Sequence, residues 1–156
     1  MKVSEALLGV SRLAIETAPF IYYVENHPSY AERMDAIFII VETESIEIVT
    51  SVMTLTETLM KPLQVKDVAL VDAYEDLLTH NTRLVPISAR IARSAADLRA
   101  RYNLRTPDAL HLATALDTDC DAFLTNDKTL KRVTDFRILV LDDLELDKPH
   151  DLERDE

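Results

Sequence analysis

The chain of 156 residues contains one glycine, one cysteine and no tryptophan. The shortage of glycine excludes the most. A Walker-type phosphate loop needs two glycines and a dinucleotide-binding turn needs three, because only glycine lets backbone approach a phosphate so closely. The nucleophile elbow of serine hydrolases also needs two. With Gly9 alone, none of these can be built. Collagen-like sequence and glycine-rich linkers are excluded as well. The lone Cys120 permits neither an intrachain disulfide nor a zinc finger, which fits a reducing compartment. Long apolar runs are missing too. The longest, Ala36 to Val41, falls far short of the ~20 residues that span a bilayer. The short patch Ala6 to Val10 follows Glu5 and is too brief for a secretory leader. The expectation is a cytoplasmic protein without a membrane segment.

Positive charge is also scarce. There are 28 acidic and 17 basic residues, for a formal net charge of −11. That balance argues against a simple electrostatic DNA binder. It leaves room for a nucleic-acid enzyme whose local positive charge is supplied by metal ions. The acid is uneven. Asp142 to Glu156 holds eight acidic and two basic residues and reads as a solvated, flexible tail. Arg83 to Arg105 holds six arginines against Asp97 alone, a local charge of +5.

What remains is punctuated into alternating strands and helices. Arg12 to Glu16 reads as a strand ending on a carboxylate, followed by a helix with Pro19 in its first turn. His27-Pro28 breaks that helix, and a second runs from Ser29 to Glu42. Ile46 to Ser51 alternates and is β-branched, as a strand should be. A short helix over Thr54 to Met60 is expected to stop at Pro62, and another spans Lys66 to Leu78. Arg83 to Ile87 is a strand, and Ser88 caps an amphipathic helix with Ile91, Ala95, Leu98 and Tyr102 on its apolar face. Thr106-Pro107 supplies an N-cap and a first-turn proline for a nearly all-apolar, hence central, helix from Ala109 to Leu116. Strands at Ala122 to Thr125 and Arg137 to Leu141 flank a turn of helix running to Arg132. Five strands alternating with helices predict an α/β fold: a three-layer α/β/α domain over 12–141 with a mainly parallel sheet, preceded by an extension at 1–11. In such sheets function collects at the carboxyl ends of strands.

Four carboxylates stand out by that criterion. Glu16 closes the first strand, Glu57 follows the second, Asp127 follows the fourth, and Asp108 opens the central helix. Each has a local explanation. Thr54 and Glu57 have capping-box spacing, Asp108 complements a helix dipole, Asp127 can cap a helical turn, and Glu16 can face solvent. Their joint placement is what carries chemistry. Four carboxylates in one pocket repel unless a cation sits among them, and hard oxygen ligands suit Mg²⁺ or Mn²⁺. Such an ion supports phosphodiester cleavage. His27, His80, His111 and His150 form no ligand motif. His111, one helical turn from Asp108, reads as a packed residue, with substrate contact as the alternative. Cys120, near a strand start, reads as inert core. Arg90, Arg93 and Arg101 share a polar helix face. They form either an ordinary solvated face or, with Arg105, a ridge that tracks RNA phosphates toward the acids.

The stretch Ile15-Glu16-Thr17-Ala18-Pro19-Phe20 resembles the opening motif of the PIN-domain family, in which an acid followed by Thr or Ser ends the first strand. Thr54-Leu55-Thr56-Glu57 is similar to that family's second acid, Thr106-Pro107-Asp108-Ala109-Leu110-His111 to its third, and Asp121-Ala122-Phe123-Leu124-Thr125-Asn126-Asp127 to its fourth. The resemblance covers about residues 12 to 141 and is nearest to the VapC toxins of toxin–antitoxin pairs. It implies a PIN-like fold and a Mg²⁺- or Mn²⁺-dependent ribonuclease that dimerises and is held inactive by a cognate antitoxin. By position it implies Glu16, Glu57, Asp108 and Asp127 as catalytic acids, with Glu16, Asp108 and Asp127 on the metal. Thr17, Thr125 and Asn126 would support them through hydrogen bonds. One departure stands out: the family's first acid is normally Asp, and here it is Glu16. That change makes a PIN-like binding or regulatory module with weakened or lost catalysis the alternative. A receiver-type phosphoacceptor domain would want a lysine after its last strand, where Asp142-Asp143 stands instead.

Overall fold

A computed structural model describes residues 1–149. Its centre is a five-stranded sheet of β1 (Arg12–Ile15), β2 (Glu47–Ser51), β3 (Arg83–Val85), β4 (Ala122–Thr125) and β5 (Ile138–Val140). The strand order is β3-β2-β1-β4-β5 and every pairing is parallel. A parallel sheet needs crossover helices, and these cover both faces. The domain is the three-layer α/β/α fold expected from the alternation.

The strands show the two layers residue by residue. Leu13 and Ile15 of β1, Ile48 of β2, and Ala122 and Leu124 of β4 enter one apolar cluster. Ala14, Val49 and Phe123 enter the other. That period of two is the pleat sorting alternate side chains to opposite faces. The first layer holds α1 (Val3–Leu7), α2 (Thr17–Val24), α3 (Ala31–Thr43) and the end of α5 (Val68–His80), through Phe20, Met34, Ile37 and Leu78. The second holds α6 (Ala89–Tyr102) and α7 (Thr106–Asp117). Ser88 Oγ accepts the Ile91 N–H over 3.1 Å to start α6. The nearly all-apolar α7 is central, as its sequence requires.

The connection from β1 goes outward to β2 and β3, then returns across β1 to β4 and β5. The reversal between β1 and β4 opens a crevice above their carboxyl ends. Glu16 ends β1 and Asp127 lies two residues beyond β4, so both stand at that crevice.

Three local expectations need correction. Pro62 does not stop its helix. The helix α4 runs Val52–Gln64, and Ser51 rather than Thr54 caps it, accepting the Met53 N–H. Pro62 sits in the last turn, where one lost N–H bond is tolerable, and it is buried there. Arg105, not Thr106, is the N-cap residue of α7. The chain ends are not simple extensions either. Val3, Ala6 and Leu7 of α1 are buried in the first layer, as is Leu144 from the stretch expected to be a solvated tail. The Val3 N–H bonds to the Glu145 carbonyl, and Arg137 donates to the Ala6 carbonyl. The rest of the expected tail, 150–156, lies outside the described residues.

Having one glycine also shapes the turns. Gly9 takes the left-handed conformation after α1, and Asn26, Ser45, Lys66, Asn103 and Asp119 take it after α2, α3, α4, α6 and α7. Glycine is the usual residue at such helix exits. Here side-chain-bearing residues fill five of the six, each against a steric cost.

The burial of α1 makes a sharp prediction. Leu7→Ala should destabilise the fold by about 2–5 kcal/mol, as core leucines do. Leu8→Ala, at an exposed position, should stay within about 0.5 kcal/mol. Urea unfolding of both variants checks this, and equal effects would detach α1 from the core.

Candidate active site

A cavity of about 270 Å³ opens at the β1/β4 crevice, and its lining includes Glu16, Thr17, Glu57, Arg105, Asp108, His111 and Asp127. All four acids singled out in the sequence therefore reach one place, from four separate segments. Among the described residues, Arg105 is the only lysine or arginine on the cavity wall.

Each carboxylate has its own partner. Glu16 is 9% exposed and accepts the Thr125 hydroxyl on Oε1 at 2.5 Å. Burial pushes its carboxyl above the usual range. The Thr125 hydroxyl and His111 oppose that push, while Asp108 adds to it. Thr125 Oγ1 also accepts the Asp127 N–H over 2.9 Å, so one hydroxyl ties the ends of β1 and β4 together. Asp127 Oδ1 accepts the Thr129 N–H and hydroxyl at 2.9 and 2.7 Å, and the hydroxyl bond is the larger cause of its lowered carboxyl. Asp127 is thus a helical-turn cap and a cavity residue at once.

Glu57 lies on α4 away from the helix start, which removes the capping-box reading. Its Oε1 accepts His111 Nε2–H at 2.9 Å and the Thr17 hydroxyl at 3.1 Å. A carboxylate only accepts, so this contact fixes the proton of His111 on Nε2. The histidine bond is the main reason the Glu57 carboxyl sits below its ordinary range. His111 is 5% exposed, as a packed residue would be, yet it also faces the cavity. The i, i+3 spacing from Asp108 was the one signal that favoured a role in the site.

Asp108 is 8% exposed. Its two oxygens receive Arg105 Nε at 3.0 Å and Nη2 at 3.4 Å. The guanidinium also lowers Glu57 and Asp127 through space. It is the resident counter-charge of the cavity.

Of the three expected supporting residues, Thr17 and Thr125 bond an acid of the cavity through their hydroxyls, whereas the Asn126 side chain turns to other partners. Thr17 bonds Glu57, and Thr125 bonds Glu16. Asn126 accepts the Asp142 N–H on Oδ1 at 3.0 Å and reaches the Tyr22 hydroxyl with Nδ2 at 3.5 Å. The arginine ridge is divided. Arg90 pairs with Asp117 at 2.6 Å, and Arg101 with Asp97 and Asp135. Arg93 is exposed and meets no partner among the described residues. Of the four, Arg105 alone reaches the cavity.

The expected metal trio is not preassembled. Among the described residues no three His, Cys, Asp or Glu side chains stand close enough together to hold a cation. The reason is visible in the partners: Thr125 holds Glu16, Arg105 holds Asp108 and Thr129 holds Asp127. The donor chemistry nonetheless fits a hard divalent cation, since only oxygen donors and one imidazole converge and their charges are mostly uncompensated.

Comparison with known proteins places this geometry. The PIN domain family model matches residues 13–135. No curated protein matches the chain. Among solved structures, a VapBC2 complex from Rickettsia felis bound to a promoter DNA fragment aligns with a TM-score of 0.67 at 16% identity, covering 83% of this chain and 98% of that one. A toxin–antitoxin complex from Klebsiella pneumoniae aligns with a TM-score of 0.60 at 20% identity, covering 83% and 97%. FitAcB from Neisseria gonorrhoeae aligns at 0.64 and 16% identity, covering 85% and 99%. No helix among the described residues is long and apolar enough to cross a membrane.

Because burial disfavours ionised Glu16, the folded chain holds that proton to higher pH than the unfolded chain does. Stability contributed by the protonated form is lost as pH rises from the ordinary carboxyl range through the raised folded value. With chelator present, Glu16→Gln should therefore melt higher than wild type at pH 7, and the gain should vanish as pH falls below the unfolded glutamate value. Coincident melting curves at pH 7 would contradict it.

Proposed function

The chain belongs to the PIN-domain family, and on that premise we propose that it is a divalent-cation-dependent endoribonuclease, the toxin of a cytoplasmic toxin–antitoxin pair. One observation carries the reading: four carboxylates from distant segments line one cavity at the β1/β4 crevice, with a single arginine against them. The structural likeness to toxin–antitoxin complexes supports the pairing with an antitoxin. Exposed apolar side chains at the α4–α5 turn, Met60, Leu63, Val65 and Val68, supply surface for an antitoxin or a second copy to cover.

Glu16, Asp108 and Asp127 would hold Mg²⁺ or Mn²⁺. When bound, such an ion lowers the pKa of a water and stabilises the leaving oxygen of a phosphodiester. The chain's own groups do the rest. Glu57 is kept ionised by His111 and Thr17. It would orient a water and take its proton as the water oxygen attacks phosphorus. Arg105, released from Asp108, offers a planar fork to the phosphate oxygens. Thr125 keeps the Glu16 and Asp127 ends of the sheet in register with one another. Arg93 has its charge available for the RNA backbone, whereas Arg90 and Arg101 would first exchange their aspartate partners.

The Glu16 carboxylate reaches across to β4 and is bonded there. This favours a second reading, a module that binds RNA or a partner without cutting. Calorimetric titration with Mn²⁺ and an RNA cleavage assay separate the two. Carboxylate-dependent Mn²⁺ binding and cleavage with Mg²⁺ or Mn²⁺ support the enzyme. Asp108→Asn should lower cleavage by about a hundredfold or more. Binding of neither ion, with no cleavage by wild type or Glu16→Asp, would leave the inert module.

Arg105→Ala should act in opposite directions on two quantities. With the competing guanidinium gone, Mn²⁺ binds more tightly, while RNA binds more weakly because a phosphate contact is lost. Parallel changes in both would remove Arg105 from the site.

A further inference from the structure

The turn between α2 and α3 gathers three aromatic rings, of which Tyr22 and Tyr30 also pack against the first apolar cluster. Asn26 takes a left-handed conformation there, and the His27 N–H returns to the Tyr22 carbonyl over 2.9 Å. The reversal brings Tyr22, His27 and Tyr30 together. Tyr22 and Tyr30 stack at 4.7 Å between centroids and 28°. His27 lies 4.9 Å from Tyr22 and 4.8 Å from Tyr30. The Arg33 guanidinium stands over Tyr30, 5.6 Å from the ring centre. Its Nη1 donates to the Leu141 carbonyl at 3.2 Å, with Asp142 at 3.8 Å, so the group is held in place.

Polar atoms at this cluster are left open. His27 Nδ1 accepts the Ser29 N–H over 3.0 Å, so the proton of the neutral ring sits on Nε2. That Nε2–H and the Tyr30 hydroxyl meet no partner among the described residues. All three rings are half-buried, with part of their surface in solvent. A half-exposed aromatic cluster, an arginine plane and free donors are what unpaired nucleobases stack on and bond to.

The cluster is also joined to the cavity. Ile21, next to Tyr22, lines the cavity, and so does Asp127, next to Asn126. The Asn126 side chain bonds the Tyr22 hydroxyl. We infer that Tyr22, His27 and Tyr30, with Arg33, form a base-stacking shelf for single-stranded RNA whose phosphate lies in the acid cavity. This rests on the nuclease reading of that cavity. The shelf takes a base of the strand beyond the nucleotides held at the cavity and sets a requirement for unpaired substrate. An aliphatic peptide would leave the ring faces and free donors unused, so the chemistry selects a nucleotide.

The test compares single-stranded RNAs of about four and about twelve nucleotides, the span over which single-strand sites operate. Binding is read by fluorescence with Ca²⁺ in place of the activating ion, using a stacking-sensitive base analogue stepped along the longer strand. The full chain should quench the analogue at one or two positions. His27→Asn with Tyr30→Leu should abolish that quenching and weaken binding of the longer strand about tenfold. The short strand should bind as before. His27→Asn alone keeps an acceptor for Ser29 and guards against a folding artefact. Tyr30→Phe keeps the ring and should retain binding. Unchanged quenching and affinity in the double variant, with unchanged melting, would overturn the shelf. Stacking without cleavage would sink the nuclease reading and leave the shelf standing. Cleavage that the double variant performs on the longer strand at the wild-type rate would do the reverse. Duplex RNA competing as well as single strand would also overturn the shelf.

Discussion

Repulsion among four carboxylates is the constraint on which the arrangement of this molecule depends. Like charges in a water-poor cavity raise one another's pKa and push apart unless each finds a donor or a cation. Here each one does. Thr125, Thr129, the His111–Thr17 pair and Arg105 are assigned one apiece to Glu16, Asp127, Glu57 and Asp108. The assignment keeps the cavity folded without an ion in it.

The sheet makes this crowding possible. Parallel strands put all their carboxyl ends on one side, and the order β3-β2-β1-β4-β5 reverses between the strands that carry Glu16 and Asp127. The helix α7 then delivers Asp108 and His111 from one apolar, buried element, whose position is set by packing rather than by a loop. Glu57 comes from α4 on the other side of the crevice. Glu57 and Asp108 sit within helices, and Glu16 and Asp127 follow strands within two residues, so regular elements fix all four positions.

Much of this was legible in the residue order. The strands were marked by β-branched and apolar runs, α6 by Ser88, and α7 by Thr106-Pro107 ahead of an all-apolar stretch. The acids could be picked out because strand ends are functional ends in this class of sheet. What stayed hidden was non-local. Nothing near Lys2 announces Glu145, and nothing near Ala6 announces Arg137, so the burial of both chain ends could not be read. Pro62 misled because a helix stop and a tolerated last-turn proline look alike in sequence. His111 was underweighted because its partner, Glu57, lies 54 positions away. The separate donors of the acids were equally invisible, and with them the fact that no three of the acids stand close together among the described residues.

The Thr125–Glu16 hydrogen bond spans 109 positions of chain. Strand β1 is synthesised well before β4, yet the two lie side by side. A ribosome can therefore extend most of this polypeptide before the fourth acid exists to complete the set. Until Asp127 emerges and β4 docks, Glu16 has no hydroxyl to bind and the crevice has no second wall. The crevice and its four-acid lining therefore come into being together, when β4 docks against β1.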